Sequence, residues 1–288
     1  MVDLRKFIGE KHLYIKYNYV NYYHALIDTL PILLQIRKYS PGIVFFLPCQ
    51  PFKVVSDIAH NLNIKNLNLE CLDEVGEIYE SKCINPLHMR DTVTLINSLP
   101  ELRANLTIQE NSPKKIIIKR DRGSKGKQRN ICKGVFDYIA SLGFTEIICK
   151  NYTVSEQANL FYNAEVIVSP HGADLANMIF CQSDCNVIEL SNGYNPGLFN
   201  SHVNNALRNK KIFLQKKIIF NENIMQNNIL FQKTHLSDRY SKLCGTRLFE
   251  IGKNFYVQLK LPIVTKDKIL DDFQYSVDSF KEIFNYAL

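Results

Sequence analysis

Residues 153–190, TVSEQANLFYNAEVIVSPHGADLANMIFCQSDCNVIEL, constrain the architecture more than any other stretch. Thr153 lies three residues before Glu156, the spacing of a capping box at a helix start. Val154, Ala158, Leu160, Phe161 and Ala164 continue as the apolar positions of that helix. The run Val166-Ile167-Val168 is long enough only for a buried strand. It stops at Ser169-Pro170-His171-Gly172-Ala173, and a second helical segment occupies residues 175–180. A short strand over residues 187–190 carries one acid, Glu189. This α-β-turn-α-β order is that of a parallel sheet with helices packed on it. In such sheets ligands bind beyond the carboxyl ends of the strands. The His171-Gly172-Ala173 turn lies at such an end and leads into a helix N-terminus, which favours an anion. Gly172 permits close approach to the backbone, and His171 can donate a hydrogen bond. The turn reads either as a nucleotide or phosphate site or as a plain strand-to-helix turn with a surface histidine.

At 288 residues the chain is long enough for two domains. Its 46% apolar content suits a soluble globular protein, and no apolar run approaches the ~20 residues of a membrane span. The N-terminus lacks the apolar centre of a signal peptide, so a cytoplasmic setting is expected. Without such a leader, the sequons at Asn105 and Asn151 read as chance. The eight cysteines form no CxxC and no zinc-spaced cluster with histidine, so all eight are expected to be reduced and no metal is expected. The net charge of +7 suggests an anionic partner. No RNA-binding signature, zinc finger or basic amphipathic helix points to nucleic acid.

Strands are expected over residues 13–17, 43–47, 67–72, 115–119 and 145–149, and extended chain over 77–84. Helices are expected after Asn21, over 52–61, 89–99 and 131–142, with Gly143 ending the last. Pro31 should kink or end the helix that Asn21 starts. His24 and Asp28, four residues apart, share one face of that helix. They read either as an oriented acid–base pair or as an ordinary i,i+4 pair. Residues 100–113, polar and bracketed by prolines, are the expected domain boundary. The loop after strand 115–119 carries Arg120, Arg122, Lys125 and Arg129 where a diphosphate would sit, and arginine grips phosphate through two N–H groups. The alternative is a solvated basic loop. Further on, a helix is expected over 198–208, a strand over 212–214 and an amphipathic terminal helix over 271–287. Residues 221–246 carry no assignment.

Several motifs occur in a fixed order. They are Tyr22-Tyr23-His24-Ala25-Leu26-Ile27-Asp28-Thr29-Leu30-Pro31, Ile118-Lys119-Arg120 with Arg129-Asn130, Gly143-Phe144 and Ser155-Glu156-Gln157. Then come Ile167-Val168, His171-Gly172-Ala173, Leu175-Ala176-Asn177-Met178 and Val187-Ile188-Glu189-Leu190. Over about residues 20–195 this set resembles glycosyltransferase family 61. That family often has Trp where Ala25 stands, and its secretory members carry a membrane anchor, whereas no apolar run in this sequence is long enough for one.

The resemblance implies an α/β protein of GT-B type, two Rossmann-like domains facing a cleft. An acceptor-side domain would span residues 1–110 and a nucleotide-sugar domain 111–265, with 266–288 packing back on the first. It implies inverting transfer of a sugar, xylose ahead of N-acetylglucosamine, from a UDP-sugar to a glycan hydroxyl on an oligosaccharide or glycoprotein, with no metal or other cofactor. The implied donor-binding residues are Arg120, Arg122, Lys125, Arg129, His171, Gly172, Ala173, Asn177 and Glu189, the last on the ribose hydroxyls. The implied base is Asp28, with His24 as partner or alternative. A degenerate protein that binds nucleotide or glycan without chemistry is the competing reading. A hydrolase is disfavoured, since Ser169, His171 and Asp174 are too close in sequence for a triad.

Overall fold

In the computed structural model, the described residues are 3–16, 20–73, 83–89, 92–120, 133–170, 172–182, 185–191, 215–219, 255–260 and 281. They build two parallel sheets. The first orders β3 (Asn68–Cys71), β2 (Val44–Leu47), β1 (His12–Ile15) and β4 (Cys83–Ile84). The second orders β6 (Thr145–Ile147), β5 (Lys115–Ile118), β7 (Val166–Pro170), β8 (Asn186–Ser191), β10 (Phe255–Lys260) and β9 (Gln215–Ile219). Every pairing between these strands is parallel, with registers such as Leu13↔Phe45 and Ile117↔Val168.

The strand order fixes where a ligand can enter. From β1 the chain winds outward to β2 and β3, then returns to the other side of β1 for β4. From β5 it passes to β6 on one side and then to β7 on the other. Each reversal is a topological switch point, where a crevice opens beyond the carboxyl ends. The switch points lie between β1 and β4 and between β5 and β7.

The apolar periodicity produces the elements expected of it. Ile116, Ile117 and Ile118 are fully buried, as are Ile167 and Val168. The helices between the strands are α3 (Cys49–Asn61), α4 (Thr92–Leu102), α5 (Lys133–Ser141) and α6 (Val154–Asn163), with α3 packed on β2, β3 and α6. The capping box at α6 is complete: the Thr153 hydroxyl accepts from Glu156 N, and the Glu156 carboxylate accepts from Thr153 N at 2.7 Å. Gly143 ends α5 with φ +84°, a left-handed conformation that favours glycine. Buried residues of both sheets, from Leu13 and Phe45 to Ile116 and Val187, belong to one hydrophobic cluster.

Three expectations change. Pro31 does not end its helix. The helix runs from α1 (Tyr22–His24) through a π-helical turn, Ala25–Thr29, into α2 (Leu30–Tyr39), with Pro31 in the first turn of α2, where its missing N–H breaks no bond. The helix expected over 89–99 starts later, after a 3₁₀ turn at Pro86–Met89, and runs past Pro100. The cysteines are not all reduced: Cys49 and Cys71 form a disulfide, with Cα atoms 4.8 Å apart. Adjacent parallel strands bring the start of α3 and the end of β3 together, and a separation of 22 residues leaves no local motif to read. The segments 198–208, 212–214 and 221–246, and nearly all of 271–287, lie outside the described residues. Lys281, which is described, sits over the Tyr138 ring of α5 at 5.4 Å. Among the described residues, no helix is long and apolar enough to cross a membrane.

Candidate active site

The first constellation follows β1. Asn21 caps α1, its side-chain oxygen accepting from His24 N at 3.0 Å. Beyond the cap the helix widens, and Leu30 N donates to Ala25 O, a bond five residues long. Single π-helical turns of this kind are rare and frequent at functional sites. Here the turn leads from His24 to Asp28, and His24 Nδ1 lies 2.5 Å from Asp28 Oδ2. The Asp28 side chain is wholly buried, while that of His24 keeps 11% of its surface exposed. With Asp28 ionised, its carboxylate only accepts, which would place a proton on Nδ1 and, in a neutral imidazole, leave the Nε2 lone pair turned away from Asp28.

The second constellation forms at the β5–β7 switch point. Arg120 follows β5, and Gly172 follows β7. Gly172 has φ 173°, extended backbone open to any residue, so conformation does not demand a glycine here. A Cβ on Gly172 would stand 3.0 Å from Arg120 Cζ and Nη1, so the guanidinium would have to shift to make room for it. The guanidinium therefore lies against bare backbone at the entry to the 3₁₀ helix Ala173–Phe180. Arg120 Nε is 3.9 Å from Asp174 Oδ2. Burial pushes the Asp174 carboxyl above its ordinary value, and Arg120 pulls it back.

The two constellations meet although about 150 residues separate them in sequence. Tyr22 Oη donates to Asn177 Oδ1 at 2.5 Å. Asn177 Nδ2 donates to Gln157 Oε1 at 2.9 Å, and Gln157 Nε2 donates to Cys149 O and Tyr152 O. A second tie lies at the far end of the 3₁₀ helix: Arg103 Nε donates to Ile179 O at 2.6 Å and its Nη2 to Cys181 O at 2.8 Å. Burial lowers the pKa of this guanidinium.

Of the residues expected at a site, His24 and Asp28 touch each other, and Arg120 and Gly172 touch each other. Ala173 is partly buried against the core. Asn177 and Glu189 are wholly buried and present no surface to a ligand in this conformation; Glu189 is level with Ser169 of β7 and Gln258 of β10. Arg122, Lys125, Arg129 and His171 lie outside the described residues. Sequence reasoning did not single out Tyr22, Gln157 or Arg103 for a role, because their partners are set by tertiary contact. Among the described residues, Cys49, Cys71 and Asp73 bring potential metal-ligand atoms within 4.8 Å of one another, but the disulfide ties up both sulfurs.

No curated protein matches the chain. The family model for glycosyltransferase 61 matches residues 22–188, more than half of the 288. The matched span opens on the α1 residue that reaches Asn177, takes in the His24–Asp28 pair and the Arg120–Gly172 contact, and ends in β8; the chain belongs to the glycosyltransferase 61 family.

Proposed function

We propose that the protein transfers a sugar from a UDP-sugar to a glycan hydroxyl with inversion, between two Rossmann-like units of GT-B type. One observation carries the reading: the buried His24–Asp28 pair rides on a helix hydrogen-bonded to the segment entered beneath Arg120. His24 Nε2 takes the proton of the acceptor hydroxyl, and Asp28 holds the imidazole tautomer and stabilises the imidazolium. The exposure of His24 favours it over Asp28 as the group in contact with substrate. The acceptor oxygen then bonds to the sugar C1 as the C1–phosphate oxygen bond breaks on the opposite face. The departing diphosphate gains negative charge, which Arg120 and the N–H groups at Gly172 and Ala173 offset. Arg122, Lys125, Arg129 and His171 belong to the same reading as further cations and donors. Asn177 and Glu189, being buried, act from behind the site.

Xylose is the first sugar to test and N-acetylglucosamine the second, with no metal required. The acceptor is an oligosaccharide or glycoprotein glycan. The Cys49–Cys71 disulfide weighs against a cytoplasmic setting, where thiols stay reduced. The direct test is a thermal-shift screen with UDP, GDP, CMP and UDP-sugars, with and without EDTA. A ligand that binds only the native state raises its stability. A shift with UDP and one UDP-sugar, unchanged by EDTA, is expected. No shift with any nucleotide would overturn the donor assignment.

Gly172→Ala should raise the KM for the UDP-sugar roughly threefold to tenfold by displacing one charge-assisted contact of Arg120. Because φ is extended, the melting temperature should hold. An unchanged donor KM would show that Arg120 does not meet the diphosphate.

A further inference from the structure

The hydrogen-bond chain from Cys149 to Tyr22 has only one possible polarity. Carbonyl oxygens only accept, so the two bonds to Cys149 O and Tyr152 O, at 2.9 and 3.0 Å, oblige Gln157 to present its NH₂ group to them. Its Oε1 must then face Asn177 and accept from Nδ2. That turns Asn177 Oδ1 toward Tyr22, and an amide oxygen also only accepts. Tyr22 therefore spends its single proton on Asn177. Burial, with Cys149, Asp174 and Asp57 nearby, pushes the phenol well above its ordinary value, so it stays neutral. What remains on Oη is lone pairs. Among the described residues, no group donates to them.

We infer that Tyr22 is a specificity-determining residue whose phenol oxygen accepts a hydrogen bond from a hydroxyl of one of the two sugar substrates. This rests on the transferase reading above. An acceptor-only oxygen selects groups that carry a proton and disfavours phosphate oxygens, ethers and fluorine. Tyr22 thus directs a sugar hydroxyl toward itself and leaves the diphosphate to Arg120. Gln157 and Asn177 are positioning residues that set this polarity from within the core. The hydroxyl can belong to the donor's sugar or to the acceptor, and the same chemistry serves both.

The test uses the full chain and Tyr22→Phe, with UDP-xylose, UDP-N-acetylglucosamine and a xyloside acceptor. Each hydroxyl is replaced in turn by hydrogen and by fluorine. At one position, wild-type kcat/KM should fall about threefold to thirtyfold, for the deoxy and fluoro analogues alike, as expected for one lost hydrogen bond. Tyr22→Phe should show that loss with the parent substrate and none further with the analogue. A position on the nucleotide sugar assigns the contact to the donor, and one on the xyloside to the acceptor. A uniform drop across all analogues in Tyr22→Phe would mark a structural role and overturn the inference. If Tyr22→Phe fails to fold by circular dichroism, the wild-type series decides: fluoro analogues as active as the parents at every position overturn the inference. Wild-type protein that neither binds nor turns over any sugar nucleotide overturns the transferase reading, and the inference with it.

Discussion

Asp28→Asn is expected to lower kcat by about 10²–10⁴-fold while leaving UDP binding intact, the range for losing a positioned general base. The Asp28 carboxylate is fully buried, and its Oδ2 meets His24 Nδ1 at 2.5 Å. Two things change with asparagine. The negative charge that stabilises an imidazolium is gone. The amide can also turn its NH₂ group to Nδ1, which would move the ring proton to Nε2 and leave no lone pair for the acceptor hydroxyl. His24→Ala should cost a similar factor, and the double variant little more, since the pair acts as one unit. The measurement is single-turnover transfer alongside a UDP titration. Full transfer in both single variants would remove His24 and Asp28 from the chemistry. Loss in His24→Ala with none in Asp28→Asn would leave the histidine as base without its orienting partner.

Arg103→Met should be the most damaging substitution for stability among those considered. The guanidinium holds Ile179 O and Cys181 O, and both residues are wholly buried. Methionine keeps much of the side-chain volume but offers no donor. Each carbonyl left without a partner costs about 1–3 kcal/mol, so a loss of about 3 kcal/mol is expected, roughly 6–12 °C in melting temperature. Arg103→Lys should recover only part of this, because an ammonium is a point donor and cannot span two carbonyls as the planar fork does. Thermal denaturation of the three proteins measures both steps. The site should respond as well: Arg103 ties the chain just beyond α4 to the end of the helix whose entry lies under Arg120. A melting temperature unchanged in Arg103→Met would mean that this tie contributes nothing to the fold.

The elements legible in the sequence were those whose signal is local. The Thr153–Glu156 capping box needs only a three-residue spacing, and it formed as expected. The isoleucine run of β5 is wholly buried, as the absence of any polar side in KIII had indicated for a parallel strand covered on both faces. Asn21 caps its helix for the same local reason. The His24–Asp28 pair was also within reach, because both residues lie on one helix, although the π-helical turn between them was not. That turn lets the helix pass Pro31 without asking its absent N–H for a bond.

By itself the sequence determined the family, through motifs ordered along residues 22–188, and the α/β alternation, the capping box and the nearness of His24 to Asp28, through spacings of a few residues. Tertiary structure alone decided the rest. Nothing local marks Cys49 for Cys71, Arg120 for Gly172, Tyr22 for Asn177 or Arg103 for Ile179. These partners lie from 22 to 155 residues apart: adjacent parallel strands bring Cys49 to Cys71 and Arg120 to Gly172, while the helices packed on the two sheets bring Tyr22 to Asn177 and Arg103 to Ile179. Tertiary packing also buried Asn177, on the 3₁₀ helix, and Glu189, in β8, whose polar side chains had suggested ligand contact. A spacing rule reads along the chain, whereas burial depends on which strand happens to lie beside which.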